Sequence, residues 1–104
     1  MNKRQNEIRK FFDQAAEKYN KDRSYSGGRL FNEYIEIPAT LKLVGTPIPN
    51  ASVLDIGCGI GSYSFYFGEL GCNVTGIDIS KKMIDICKSK CKNLPNVSFI
   101  KSSF

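Results

Sequence analysis

The stretch that decides the fold is VLDIGCGIGSYS, residues Val53–Ser64, read together with VTGIDIS, Val74–Ser80. Ala51 to Ile56 is short, apolar and partly β-branched, the pattern of a buried parallel strand. Gly57-Cys58-Gly59-Ile60-Gly61 follows at once. Ser62 to Leu70 then reads as a helix closed by Gly71. A second strand runs from Asn73 to Ile77 and ends at Asp78. Ser80 is placed to cap a further helix reaching about Lys92, with Met83, Ile84, Cys87 and Cys91 on one face. Val97 to Lys101 is the third strand. The order is β-α-β-α-β, and right-handed crossovers make the sheet parallel, with spatial order 3-2-1.

Upstream the period changes. Ile8, Phe11, Phe12, Ala15, Ala16 and Tyr19 fall at helical spacing and form an apolar stripe. Residues 20–28 lose that stripe, and Gly27-Gly28 marks a loop. Leu30, Phe31, Tyr34 and Ile35 begin a second helix, which Pro38 either interrupts or follows by opening a third. Gly45 is a helix stop, and residues 46–50 are a linker. Residues 1–49 therefore read as an N-terminal helical segment and 50–104 as an α/β unit. That unit is an incomplete, Rossmann-like sheet, because the chain stops at Phe104 with nothing to pair the free edge of its first strand. The expectation is a fragment that self-associates through that edge.

Composition bounds the rest. The chain has 104 residues, 41% hydrophobic and 24% charged, which fits one soluble domain. The 15 Lys and Arg against 10 Asp and Glu give a net charge of +5. The basic residues are scattered, and the denser run Lys81–Lys92 reads as a solvated helix face rather than a nucleic-acid patch. No apolar run is long enough to cross a membrane, and the polar start MNKRQNEIRK is not a secretory signal. Histidine is absent, which excludes a His base, a Ser-His-Asp triad and His-based zinc sites within these residues. Cys58, Cys72, Cys87 and Cys91 form no CxxC pair. They read as reduced thiols of a cytoplasmic protein, with no metal site expected.

The residues that carry chemistry are Asp55, Gly57, Gly59, Gly61 and Asp78. The glycines let the backbone turn sharply and remove Cβ atoms where a ligand must approach main chain. The helix that starts near Gly61 aims its N–H groups at the same crevice. Asp78 stands at the end of the second strand, where an acidic residue can accept hydrogen bonds from two ribose hydroxyls. A dinucleotide site wants G-x-G-x-x-G, and the sixth position from Gly57 is Ser62, and from Gly59 it is Ser64. Asp55, two residues before Gly57, would repel a pyrophosphate and suit an ammonium group. S-adenosyl-L-methionine carries an ammonium, a sulfonium, a carboxylate and a ribose but no phosphate. The pattern favours it over NAD.

These two stretches closely resemble the cofactor-binding half of class I S-adenosylmethionine-dependent methyltransferases, over roughly residues 50–104. FFDQAAEKYN, Phe11–Asn20, also resembles the helix that precedes that domain in many small-molecule methyltransferases. The resemblance implies that Gly57, Cys58 and Gly59 line the methionine moiety and that Asp55 holds its ammonium, directly or through water. It implies that Asp78 holds the ribose and that Ile79 and Met83 pack on the adenine. Tyr19 and Arg29 would close over the methionine end, with Arg29 a candidate for its carboxylate. Ser102, Ser103 and Phe104 fall where the family has an adenine-edge loop. The implied function is methyl transfer from S-adenosylmethionine, leaving S-adenosylhomocysteine, to an unidentified acceptor, with a small molecule favoured. The isolated chain is expected to be inactive. Two alternatives stay open: a non-catalytic module completed by a partner chain, and a nicotinamide-dependent enzyme.

Overall fold

The computed structural model describes residues 2–24, 37–45 and 49–103. Helix α1, Lys3–Ser24, begins with a reciprocal cap. The Gln5 amide donates to Asn2 Oδ1 at 2.8 Å, and the Asn2 amide donates to Gln5 Oε1 at 3.1 Å. Two otherwise orphaned N–H groups are satisfied by one pair of side chains. The helix continues through Ser24, beyond the point where the apolar stripe stops and a loop is expected. Good helix formers such as Lys21 and Arg23 sustain it, since no Gly or Pro intervenes before Gly27. The expected helix from Leu30 lies outside the described residues. Helix α2, Ile37–Val44, takes Pro38 in its first turn and is followed by Gly45 at φ +88°, so Pro38 opens a helix here.

The remaining elements follow the expected order. They are β1 (Ser52–Ile56), α3 (Ser62–Glu69), β2 (Asn73–Asp78), α4 (Lys81–Lys90) and β3 (Val97–Lys101). The sheet is parallel, with β2 between β1 and β3. Val53 pairs with Val74, Asp55 with Gly76, and Gly76 with Phe99. That is the expected 3-2-1 order.

Both crossovers lead in the same direction across the sheet, and right-handed crossovers then place α3 and α4 on one face. Val53, Asp55, Val74, Gly76, Val97 and Phe99 point to that covered face by strand alternation. A core forms there from Cys58, Ile84, Cys87, Cys91 and Phe99, with Phe65, Leu94 and Val97 against it. A second cluster joins Ala16 of α1 to Ile60 and Met83. The opposite face carries Leu54, Ile56, Ile77 and Ile100. There Leu54 is 58% exposed, Ile56 57% and Ile100 51%. The strand expected to be buried on both faces is thus covered on one. Among the described residues no helix packs on the other, because the two crossovers can reach only one side.

Candidate cofactor site

The loop after β1 is built by three left-handed glycines, Gly57 (φ +70°), Gly59 (φ +56°) and Gly61 (φ +84°). Backbone bonds anchor it to β2: the Gly57 and Cys58 amides both donate to the Ile77 carbonyl, at 2.8 and 3.0 Å. The Gly61 amide donates to the Cys58 carbonyl at 2.9 Å, and Gly61 then caps α3 with no side-chain hydrogen bond. From behind, the Cys87 thiol donates to the Gly59 carbonyl at 2.9 Å, and Cys58 Sγ lies 3.7 Å from Cys87 Sγ. The hydrogen bond with Cys58, together with burial, pushes the Cys87 thiol far above its ordinary range. It is a packing and hydrogen-bonding group and not a nucleophile. A Cβ on Gly61 would come within 2.9 Å of Cys87 Sγ, whereas a Cβ on Gly59 would meet nothing within 4 Å. Gly61 is required by packing. Gly59 borders open space.

That space is a cavity of about 460 Å³, a normal size for a small-ligand site. Gly57, Gly59 and Asp78 form its floor, and Ile79 and Met83 form one wall. Gln5, Ile8 and Phe12 of α1 form another, and Ser103 lies at the rim. Asp78 is 8% exposed. Its Oδ2 accepts from the Gly59 amide at 3.0 Å and its Oδ1 from the Ser80 amide at 2.9 Å. The Ser102 amide donates to the Asp78 carbonyl at 3.0 Å. A carboxylate has about four acceptor positions, so each oxygen keeps a lone pair for a ligand hydroxyl.

The structure brings together five of the predicted site residues, Gly57, Gly59, Asp78, Ile79 and Met83, around this cavity. Cys58 and Gly61 shape the loop without lining the cavity. Asp55 lies behind the loop, accepting from Ser64 Oγ at 2.7 Å, and is not part of the wall. Burial raises the Asp55 pKa, against the hydrogen bonds from Ser64, and the nearby Asp78 charge adds to the rise. Direct contact of Asp55 with a ligand ammonium therefore has no support in this geometry. Tyr19 lies on α1, but its side chain is outside the described residues, as are Arg29 and Phe104 altogether.

Sequence reading missed the α1 wall. The stripe Ile8, Phe11, Phe12 was legible, but an apolar period does not say whether it meets core or cavity. Here Phe11 is 64% exposed, with Phe12 packed edge-on against it at 5.3 Å. The polar docking of α1 was also missed. Ser80 Oγ donates to Asp13 Oδ1 at 2.6 Å while accepting from the Met83 amide. Nothing local in the sequence pairs residues so far apart. The expected absence of a metal site is untested by this description; among the described residues no cluster of candidate ligands is found.

Comparison with known proteins fits this architecture. A methyltransferase-domain family matches residues 53–104. The demethylmenaquinone methyltransferase of Tropheryma whipplei (strain Twist) is 33% identical over 93 residues, 89% of this chain and 38% of that protein. The ubiquinone biosynthesis O-methyltransferase of Coxiella burnetii (strain Dugway 5J108-111) is 36% identical over 87 residues, 80% of this chain and 34% of that protein. The chain thus spans little more than a third of the length of these relatives. Among solved structures, magnesium protoporphyrin IX methyltransferase from Synechocystis PCC 6803, with S-adenosylmethionine bound, superposes with a TM-score of 0.78. It is 18% identical, over 99% of this chain and 56% of that one, a likeness of fold.

Proposed function

The chain belongs to the methyltransferase-domain family, and on that premise we propose that its cavity binds S-adenosylmethionine and S-adenosylhomocysteine, as the cofactor part of an enzyme that methylates a small molecule. The observation that carries the reading is the pairing of Asp78 with Gly59 across one floor. The Gly59 amide orients Asp78 Oδ2 at 3.0 Å, while the missing Cβ at Gly59 leaves room for a ligand against main chain. Asp78 then receives the ribose hydroxyls. Ile79 and Met83 supply an apolar wall for the adenine, facing Ile8 and Phe12 of α1. Recognition of the carboxylate falls to Arg29 or to the first turn of α3, where the positive helix end and unpaired N–H groups favour an anion.

The sulfonium methyl is the group the cofactor supplies for transfer. This chain's contribution is to hold the cofactor in one orientation and to keep water from it, which is the larger part of catalysis by proximity. The Asp55 carboxylate acts through the loop: its bond to Ser64 ties the end of β1 to the first turn of α3. An acceptor of the quinone-precursor kind is supported by the Tropheryma and Coxiella relatives and by the exposed Phe11 and Phe12 beside the cavity. Four buried free thiols suit a reducing, cytoplasmic setting. Among the described residues no helix is long and apolar enough to cross a membrane.

Titration calorimetry of the 104-residue chain with S-adenosylhomocysteine and with NAD tests the reading. Binding of the adenosyl ligand with NAD silent is the expected result. NAD binding with no response to the adenosyl ligand would overturn it. Binding of the adenosyl ligand by a chain that never turns over with any acceptor would instead favour a module completed by a partner, which the open sheet face also suits.

A further inference from the structure

Helix α1 presents two adjacent stripes to the rest of the molecule. Gln5, Ile8 and Phe12 face the cavity. Arg9, Asp13 and Ala16, at i, i+4 and i+7, face the start of α4. Ala16 is fully buried against Ile60 and Met83. Asp13 makes the polar contact. Its Oδ1 accepts from Ser80 Oγ at 2.6 Å and from the Lys82 amide at 3.4 Å. Its Oδ2 accepts from Arg9 Nη1 at 2.9 Å. Ser80 is also the residue whose amide orients Asp78 Oδ1, at 2.9 Å. One serine therefore holds the α1 wall through its hydroxyl and the cavity floor through its amide.

We propose that Asp13 is a positioning residue of the cofactor site: by fastening α1 to Ser80 it holds Ile8 and Phe12 as a wall over the cavity and steadies the residue that orients Asp78. The proposal rests on the reading of the cavity as an S-adenosylmethionine site. Asp13 touches no ligand in it. Its contact is short, formed between partly buried groups, and carries a charge on the acceptor, which makes it one of the stronger hydrogen bonds available to a side chain. Asp13→Ala removes the acceptor and leaves the Ser80 hydroxyl and the Lys82 amide without it. Asp13→Asn keeps an oxygen for Ser80 and loses only the pairing with Arg9. Ser80→Gly removes the hydroxyl but keeps the amide that serves Asp78, and glycine is a tolerated cap.

The experiment measures S-adenosylhomocysteine affinity by calorimetry for wild type, Asp13→Ala, Asp13→Asn, Ser80→Gly and the Asp13→Ala/Ser80→Gly pair. Amide hydrogen exchange is read on the ligand-free proteins. Asp13→Ala and Ser80→Gly are each expected to weaken binding by about ten- to a hundred-fold. The pair should be little worse than either single change, since both remove one contact. Asp13→Asn should stay within about threefold of wild type, because the neutral oxygen retains most of the bond. Amides 5–12 of α1 should exchange faster in Asp13→Ala before any ligand is added. Wild-type binding with unchanged affinity in Asp13→Ala and Ser80→Gly overturns the proposal, even where melting temperature falls, because that is the signature of a merely structural contact. Should Asp13→Ala not fold, Ser80→Gly reads the same bond. A wild type that binds no adenosyl ligand overturns the cofactor reading itself, and the role of Asp13 with it.

Discussion

Asp78 serves two masters, the loop that it organises and the ligand that it faces. Its oxygens already accept from the Gly59 and Ser80 amides, so its removal strips both a ligand acceptor and two internal ones. We expect Asp78→Ala to weaken S-adenosylhomocysteine by about 1–3 kcal/mol, or roughly 5- to 150-fold, and to lower the melting temperature as well. Calorimetry and a thermal melt check it, and an unchanged dissociation constant would remove Asp78 from the site. Asp55 behaves in the opposite sense. Burial raises its pKa above the ordinary 3.8. The folded chain then binds its proton more tightly than the unfolded chain, so stability at this residue is greatest at acid pH and is lost as pH rises through the raised pKa. Asp55→Asn removes the charge and keeps an acceptor for Ser64. Its melting temperature at pH 7 should equal or exceed that of wild type, and the gap should close as the pH is lowered toward the ordinary carboxylate range. A variant that melts well below wild type at pH 7 would show that the buried charge is compensated. The chemistry of Asp78 was legible from its place after a strand. The seclusion of Asp55 was not, because its burial depends on where α3 brings Ser64.

At the scale of elements, the parallel unit was legible because each strand ends in a residue with one plain role, Gly57 turning the chain and Ser80 capping a helix. What the sequence could not show is how closely the elements approach. Gly68 lies inside α3 and would pass for a weak helix position. A Cβ there would collide with Val97 Cγ2 and come within 3.2 Å of Leu94 Cδ1. The Val97 side chain is β-branched and has few alternative rotamers. Helix propensity alone would favour Gly68→Ala by about 1 kcal/mol, while overpacking a well-filled contact costs about 1–3 kcal/mol. Packing wins on these magnitudes. We expect a net loss of up to about 2 kcal/mol, visible as a fall of several degrees in melting temperature. A melting temperature above that of wild type would mean that Val97 yields and the helix preference governs. The α1 stripe shows the same limit of pattern reading: Ala16 enters the core, while Phe12 one turn earlier borders the cavity.

The whole molecule is asymmetric about its sheet. Both connections cross on one side, so α3 and α4 bury Val74 and Phe99 while Leu54, Ile56 and Ile100 stay more than half exposed on the other. The edge of β1 is also unpaired, since β2 is its neighbour in the sheet and β3 lies beyond that. An apolar face beside a free parallel edge favours association. Fully burying one large aliphatic side chain contributes about 1.5–3 kcal/mol. Three that are half exposed would together contribute roughly 2–4 kcal/mol per chain. Association costs about 4–15 kcal/mol in lost freedom of motion, so face burial from two copies roughly meets the lower end of that cost. Strand pairing along β1 must supply the rest. These magnitudes predict weak, concentration-dependent self-association of the 104-residue chain and not a tight dimer. Sedimentation velocity over a wide concentration range should show the weight-average mass rising with concentration. Ile56→Lys, at a position already open to water, should suppress that rise while leaving the melting temperature within a few degrees. Mass that stays monomeric at every concentration would show that the face is stable in water. Association undiminished by Ile56→Lys would place the contact elsewhere on the molecule.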